Sequence, residues 1–171
     1  MLTGPWLLRS AVRLPRSHVL LRNGPAALAL WLGGIHLDWL QDLGIADARL
    51  HRGPAREHWG CFGGRIGGEV LVGDRKITGI AQVWRRSGVL VSAGTLLHPP
   101  PWSLLCLALG RPASEAVEFV RATVSIRQCV AGSAQAQEWA RSLRAVLAAA
   151  LLRSCASIPS TFSFHENGDP A

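Results

Sequence analysis

The sequence predicts an α+β domain in which a small antiparallel sheet packs against helices, and three observations predict it. A helical period begins at Pro25, where Leu28, Leu32, Ile35, Trp39 and Leu43 recur at spacings of three and four and so share one face. Next, the turn pairs Gly73-Asp74 and Ser87-Gly88 separate three apolar, β-branched runs, which is the pattern of consecutive hairpins. Helical patterning then returns after Pro99-Pro100-Pro101. With 171 residues, 49% of them hydrophobic, the chain has enough apolar mass for one core.

Taken in order, residues 1–24 mix glycine, proline and arginine without a period and read as an irregular N-terminal segment, a loop or a partial strand. The first helix starts with Pro25 at a favoured first position and ends before Gly44, while Gly33-Gly34 weakens it locally and leaves tertiary packing to hold it. Short strand-like pieces follow at 48–51 and 59–62. The run 69–72 then leads through Gly73-Asp74 into 75–84, and Ser87-Gly88 returns the chain through 89–97. These last three runs form a predicted meander with Lys76 near the start of its middle strand. Helices are predicted over 102–109 and from 113 to about 124. A longer one, capped by Ser133, ends near Arg153. Its inward face is Trp139, Leu143, Val146, Leu147 and Ala150, with Arg141 and Arg144 outward. Residues 154–171 are polar and read as a disordered tail, which makes 25–153 the predicted domain.

Composition excludes several classes. The net charge is +7, yet the arginines stand singly apart from Arg85-Arg86, and no aromatic-basic-glycine ribonucleoprotein motif occurs, so nucleic acid is not the expected partner. Cys61, Cys106, Cys129 and Cys155 form no Cys-x-x-Cys pair, which argues against a zinc site or a disulfide framework and suits a reducing compartment. His51 and His58 read as loop histidines near a strand rather than as metal ligands with Cys61. The longest apolar run, 145–152, is too short to span a membrane. The cytoplasm is the expected location. The alternative is the mitochondrion, because the first thirty-seven residues lack any acidic side chain and carry Arg9, Arg13, Arg16 and Arg22.

The positive charge is written as seventeen arginines and a single lysine, Lys76. It lies in Gly73-Asp-Arg-Lys-Ile-Thr-Gly-Ile-Ala-Gln82, the most patterned stretch of the chain. An ammonium on a flexible stem can be aimed at one oxygen, which a broad guanidinium plane cannot do as well. Beside an acyl carbonyl at the end of an apolar slot, such a point cation stabilises the oxyanion of acyl transfer. Gly79 would let backbone approach the acyl group, and Ala81 would leave room beside it.

Together with Cys61-Phe62 and Gly68-Glu-Val70, this run resembles the lipoate–protein ligase and octanoyltransferase family, whose catalytic fold biotin protein ligases share. The resemblance covers roughly residues 15–153 and corresponds to the second half of that catalytic domain. It implies a partial biotin/lipoate-ligase-like domain that attaches lipoyl or octanoyl groups to a lysine of a lipoyl carrier domain, in 2-oxoacid dehydrogenases or the glycine-cleavage H protein. Lys76 is implied as catalytic, and Gly73, Arg75, Gly79, Ala81 and Gln82 as substrate-binding. In the octanoyltransferase branch a cysteine fifteen residues before the lysine carries the acyl group as a thioester, and Cys61 stands at that spacing. Its alternative role is that of a small buried hydrophobe. A ligase would instead use ATP and magnesium, with lipoate or octanoate as the acyl group.

One departure is large. The family's Arg-Arg-x-x-Gly-Gly-Gly loop, which walls the acyl slot, is absent, and Arg85-Arg86-Ser87-Gly88 imitates only its opening letters at a hairpin turn. The expectation is a truncated or misplaced start, or a subunit completed by another chain. The competing reading is a non-catalytic half-domain that binds a partner through an exposed sheet edge.

Overall fold

In the computed structural model, residues 4–131 and 135–156 are described. Five strands form one antiparallel sheet: β1 Leu7–Pro15, β2 Ala48–Leu50, β3 Val70–Val72, β4 Arg75–Arg85 and β5 Gly88–Leu96. Their spatial order is β1-β5-β4-β3-β2. The helices are α1 Gly24–Asp42, α2 Trp102–Ala108, α3 Ala113–Ala122, α4 Ile126–Cys129 and α5 Ala136–Ala156, with a 3-10 turn at Val19–Leu21. The meander β3-β4-β5 forms as the turn chemistry predicts, and Gly44 leaves α1 with a φ of 92°.

Four expectations need correction. The irregular N-terminal segment, read as a loop or a partial strand, holds a full strand, β1, which pairs with β5 along its whole length, from Leu7 opposite Leu96 to Pro15 opposite Gly88. Its arginines hide the alternation: Leu8, Ser10, Val12 and Leu14 point to one face while Leu7, Arg9, Ala11 and Arg13 point to the other. The run 59–62 is not a strand but a turn. Glycines at 60, 63, 64, 67 and 68 favour turns there, and the Trp59 and Phe62 rings pack into an aromatic cluster instead of joining a ladder. The turn between β4 and β5 is Arg86-Ser87, and Gly88 already belongs to β5. Only glycine fits at 88: its φ is 148° and a Cβ would lie 2.2 Å from the Leu14 carbonyl oxygen of β1. Finally, α5 runs past Arg153 to Ala156. The predicted cap Ser133 and the remainder of the predicted tail lie outside the described residues, and Glu138 reaches back to the Gln135 amide at the helix start (2.8 Å).

One face of the sheet is closed by α1 and α5. Trp39, Leu40, Val70, Ile77, Trp139 and Leu143 form one part of that core, and Leu28, Leu32, Val12, Leu14, Val89 and Val91 form the other. Gly33 of α1, weak as a helix former, is where the Gly68 carbonyl touches the helix; a Cβ there would sit 1.8 Å from that oxygen. Among the described residues the other face is covered only at one end, where Leu96, Trp102, Cys106, Ala116 and Phe119 join α2 and α3 to the sheet.

Candidate functional site

A β-bulge sets the site. Val70 pairs with Thr78 but Leu71 pairs with Lys76, so Ile77 is an extra residue on β4. In a regular strand Lys76 and Gly79 would point to opposite faces. Here Ile77 and Thr78 both turn toward α1, Ile77 into the core and Thr78 toward Thr95 and His36, so Lys76 and Gly79 end on the same, half-covered face. On that face Gly79 and Ala81 line a cavity of about 380 Å³ together with Cys61, Phe62, Glu69 and Trp59. Its volume falls at the small end of the range for small-molecule sites. Trp102 and Phe119, stacked 4.7 Å apart, form its apolar wall with Leu7 and Leu105.

Lys76 is buried beside the cavity, against Glu69 and Phe62 of its lining. Its side chain is 1% exposed, and its ammonium donates to a Glu69 carboxylate oxygen (Oε2, 2.8 Å) and to the Cys61 carbonyl (2.8 Å), 5.7 Å from the centre of the Phe62 ring. Glu69 also accepts from the backbone amides of Ile66 (2.9 Å) and Ile80 (3.4 Å), which pins the carboxylate between the loop and β4. Burial pushes the Lys76 ammonium below its ordinary pKa, Glu69 opposes that shift, and the nearby Arg65 guanidinium adds to it. Arg65 is itself held by the Asp74 carbonyl. Cys61 is exposed at the cavity, with its carbonyl on Lys76.

Of the residues named from sequence, the structure thus gathers Lys76, Cys61, Gly79 and Ala81, and it separates the other three. Gly73 and Arg75 sit at the β3–β4 turn, where the Gly73 carbonyl accepts from Arg49 (2.8 Å) and Arg75 is exposed. Gln82 belongs to the opposite face: its amide donates to the Pro25 carbonyl (2.8 Å), and its oxygen accepts from the Trp84 indole (2.9 Å). The physical reason is the strand pleat, which after the bulge sends odd-numbered residues of β4 to the cavity and even ones to the helices.

Sequence reasoning missed Glu69. Its signal was a carboxylate opening an otherwise apolar strand, seven positions before the lysine. It also missed the aromatic wall, for which the sequence offers no signal, because Trp59, Trp102 and Phe119 come from three separate segments. The wall is braced at its rim: the Trp59 indole donates to Glu115 (2.6 Å), Arg111 donates to the same carboxylate (3.0 Å), and the Arg111 guanidinium lies 4.9 Å from the centre of the Trp59 ring. Among the described residues no cluster of three or more His, Cys, Asp or Glu is arranged to hold a metal ion, and no helix is long and apolar enough to cross a membrane.

No protein-family model and no curated protein sequence matches this chain. Solved structures do match its fold. Protein Ta0514 from T. acidophilum with bound lipoic acid superposes with a TM-score of 0.60 at 18% identity, over 86% of this chain and 52% of that one. The bi-partite lipoate protein ligase of Thermoplasma acidophilum, described with its E2 lipoyl domain, gives 0.53 at 16% identity, over 85% and 51%. Biotin protein ligase from Aquifex aeolicus in complex with biotin and ATP gives 0.52 at 12% identity, over 86% and 51%. The fold is therefore the α+β catalytic-domain fold of lipoate and biotin protein ligases, and this chain spans about half the length of those structures.

Proposed function

We propose that this chain supplies the acyl-binding half of a lipoate-ligase-like site, which attaches a lipoyl or octanoyl group to a lipoyl carrier domain. The observation that carries the reading is the buried Lys76–Glu69 pair set directly beneath an apolar cavity on this fold. An ion pair withdrawn from water costs several kcal/mol per charge before its attraction repays it, so a core has little reason to hold one for stability alone. The likeness to a structure holding lipoic acid and to a ligase described with its E2 lipoyl domain supports the substrate and partner classes.

In this reading the cavity binds the acyl chain against Trp102, Phe119 and Phe62, with Gly79 and Ala81 keeping the β4 side clear. Lys76 reaches the acyl carbonyl once the glycine-rich loop bearing Cys61 lifts, exchanging the Cys61 carbonyl for the substrate oxygen. Glu69 is the positioning residue that keeps the ammonium aimed. Cys61, exposed at the mouth, is placed to take the acyl group as a thioester before the carrier lysine displaces it. The Cys61 thiolate attacks the acyl carbonyl and the donor thiolate leaves, taking up a proton; the carrier amine then attacks the Cys61 thioester, the amide bond forms as the S–C bond breaks, and the amine's proton returns to the released Cys61 thiolate. The acyl-activation step, for which the resemblance implies ATP and magnesium, is assigned to no residue of this chain.

The test begins with octanoyl-carrier protein and the full chain. A hydroxylamine-labile octanoyl group on Cys61, seen by mass spectrometry and lost in Cys61→Ser, is the expected result for transfer chemistry. Acyl transfer to a lipoyl domain should fall by about two to three orders of magnitude in Lys76→Arg, the typical cost of removing one oxyanion donor. Independently, octanoate should quench tryptophan fluorescence through Trp59 and Trp102. No quenching, together with near-normal transfer by Lys76→Arg, would sink the proposal.

A further inference from the structure

The half-domain part of this reading leaves open where another polypeptide would join, and the groove along β1 answers it independently of the acyl chemistry. In the strand order β1 is an edge: among the described residues it pairs with β5 on one side and with nothing on the other. Along this free side runs a groove of about 410 Å³ between the strand and α5. Consecutive residues of β1, 8–12, line it, which places the groove on the strand's hydrogen-bonding edge rather than over one face. On the helix, Ala140, Leu143, Leu147, Ala148 and Leu151 line it at spacings that form a single stripe. The two walls match in length. Residues 8–12 extend about 13 Å at the strand rise, and residues 140–151 extend about 16 Å at the helix rise.

We infer that this groove takes one extended segment of another polypeptide as a sixth, added strand, with apolar residues at alternate positions and carboxylates between them. Strand addition at an open edge gains main-chain hydrogen bonds, and side chains at alternate positions select the partner. The inward positions would cover Leu8, Leu147 and Leu151, which are half-buried. The outward positions would lie beside Arg9 and Arg13 on the other face, while Arg144 stands at the groove's helical wall. The lining contains no acidic residue, so the electrostatic complement is a carboxylate-bearing strand. A second copy of β1 fits poorly. Antiparallel self-pairing about Ala11 would set Arg9 opposite Arg13 of the other copy, and like charges directly opposite are destabilising. This chain covers about half of the solved structures that share its fold, and the proposed assembly assigns the remainder to a further polypeptide.

The probe is a labelled peptide alternating valine and glutamate, nine residues long like β1, compared with its valine–lysine counterpart. The acidic peptide should bind the full chain, slow amide hydrogen exchange along residues 7–15, and lose binding when N-methylated at the amides that pair. Ala148→Trp, which fills the groove from an exposed position, should weaken it by about tenfold or more, the effect of placing a steric clash in a binding site. Its melting temperature and the octanoate concentration that gives half-maximal quenching should stay unchanged. Equal binding of the lysine peptide, unchanged exchange in β1, or indifference to Ala148→Trp would overturn the inference. A dimer abolished by Ala148→Trp would overturn it in favour of a second copy, and binding seen only after removal of residues 157–171 would give the groove to the chain's own end. Loss of the acyl proposal through Lys76→Arg would leave every one of these readouts untouched.

Discussion

The two faces of the sheet treat buried polar groups in opposite ways. On the helix-covered face His36 is fully buried and neutral, its two ring nitrogens within hydrogen-bond distance of Ser10 (2.9 Å) and Thr95 (3.1 Å), with Thr78 extending the chain of hydroxyls (2.8 Å). Burial lowers its pKa to about 4. Every polar atom in this cluster finds a neutral partner, so the network fixes α1 against β1, β4 and β5 with no net charge to desolvate. On the cavity face the buried groups are charged, Lys76 against Glu69, and the cavity beside them is walled by the glycine-rich loop together with Trp102 of α2 and Phe119 of α3. A stable face settles its polarity locally. The other holds charge close to a cavity, which is the arrangement chemistry needs.

This contrast can be broken most severely at the ion pair. Glu69→Ala strands the ammonium in a buried site and should cost about 3–5 kcal/mol, read by urea unfolding. The apolar double substitution Glu69→Leu with Lys76→Met should restore stability to the original level or raise it by about 1–4 kcal/mol. If the double variant stays as unstable as the single one, the pair is structural and the contrast between the faces fails.

His36 gives the next largest effect. Folded His36 titrates near 4 against an ordinary 6.5 in the unfolded chain, so between those values the unfolded chain holds the extra proton. Its contribution is complete above pH 6.5 and is lost as the pH falls through that window, by about 3 kcal/mol once below pH 4. Thermal unfolding of His36→Gln should lack this component between pH 4 and 6.5. A variant that keeps the same acid dependence would show that another group governs it.

The smallest effect is expected where the cavity face is uncovered. Val83 and Leu90 pair across β4 and β5 and are 43% and 45% exposed. Leu90→Thr should change stability by no more than about 0.5 kcal/mol. A larger loss would mean that something covers this end of the face in solution.

Much of the fold was legible because it rests on local chemistry. The α1 period, the Gly73-Asp74 turn and the meander follow from side-chain spacing and turn residues, which act within a few positions of chain. The single lysine in its Gly-x-Arg-Lys run was the sequence's candidate, and Cys61, Gly79 and Ala81 line one cavity beside which Lys76 is buried, bonded to the Cys61 carbonyl. β1 was hidden because its outward positions carry arginines and its partner, β5, lies some eighty residues away in sequence. Arg75 and Gln82 lie away from the cavity for a different reason. Linear proximity to Lys76 says nothing about face, and one extra residue at Ile77 reverses the alternation for everything beyond it.

The sequence by itself therefore determined the class of domain and the meander, since propensity and periodicity are properties of neighbouring residues. Only the tertiary structure decided that Glu69 meets the Lys76 ammonium, that rings from three segments wall one cavity, and that β1 presents an open edge beside α5. Those contacts join residues distant in the chain, and they are selected by burial, by strand register and by the need to pair a charge once water has been removed.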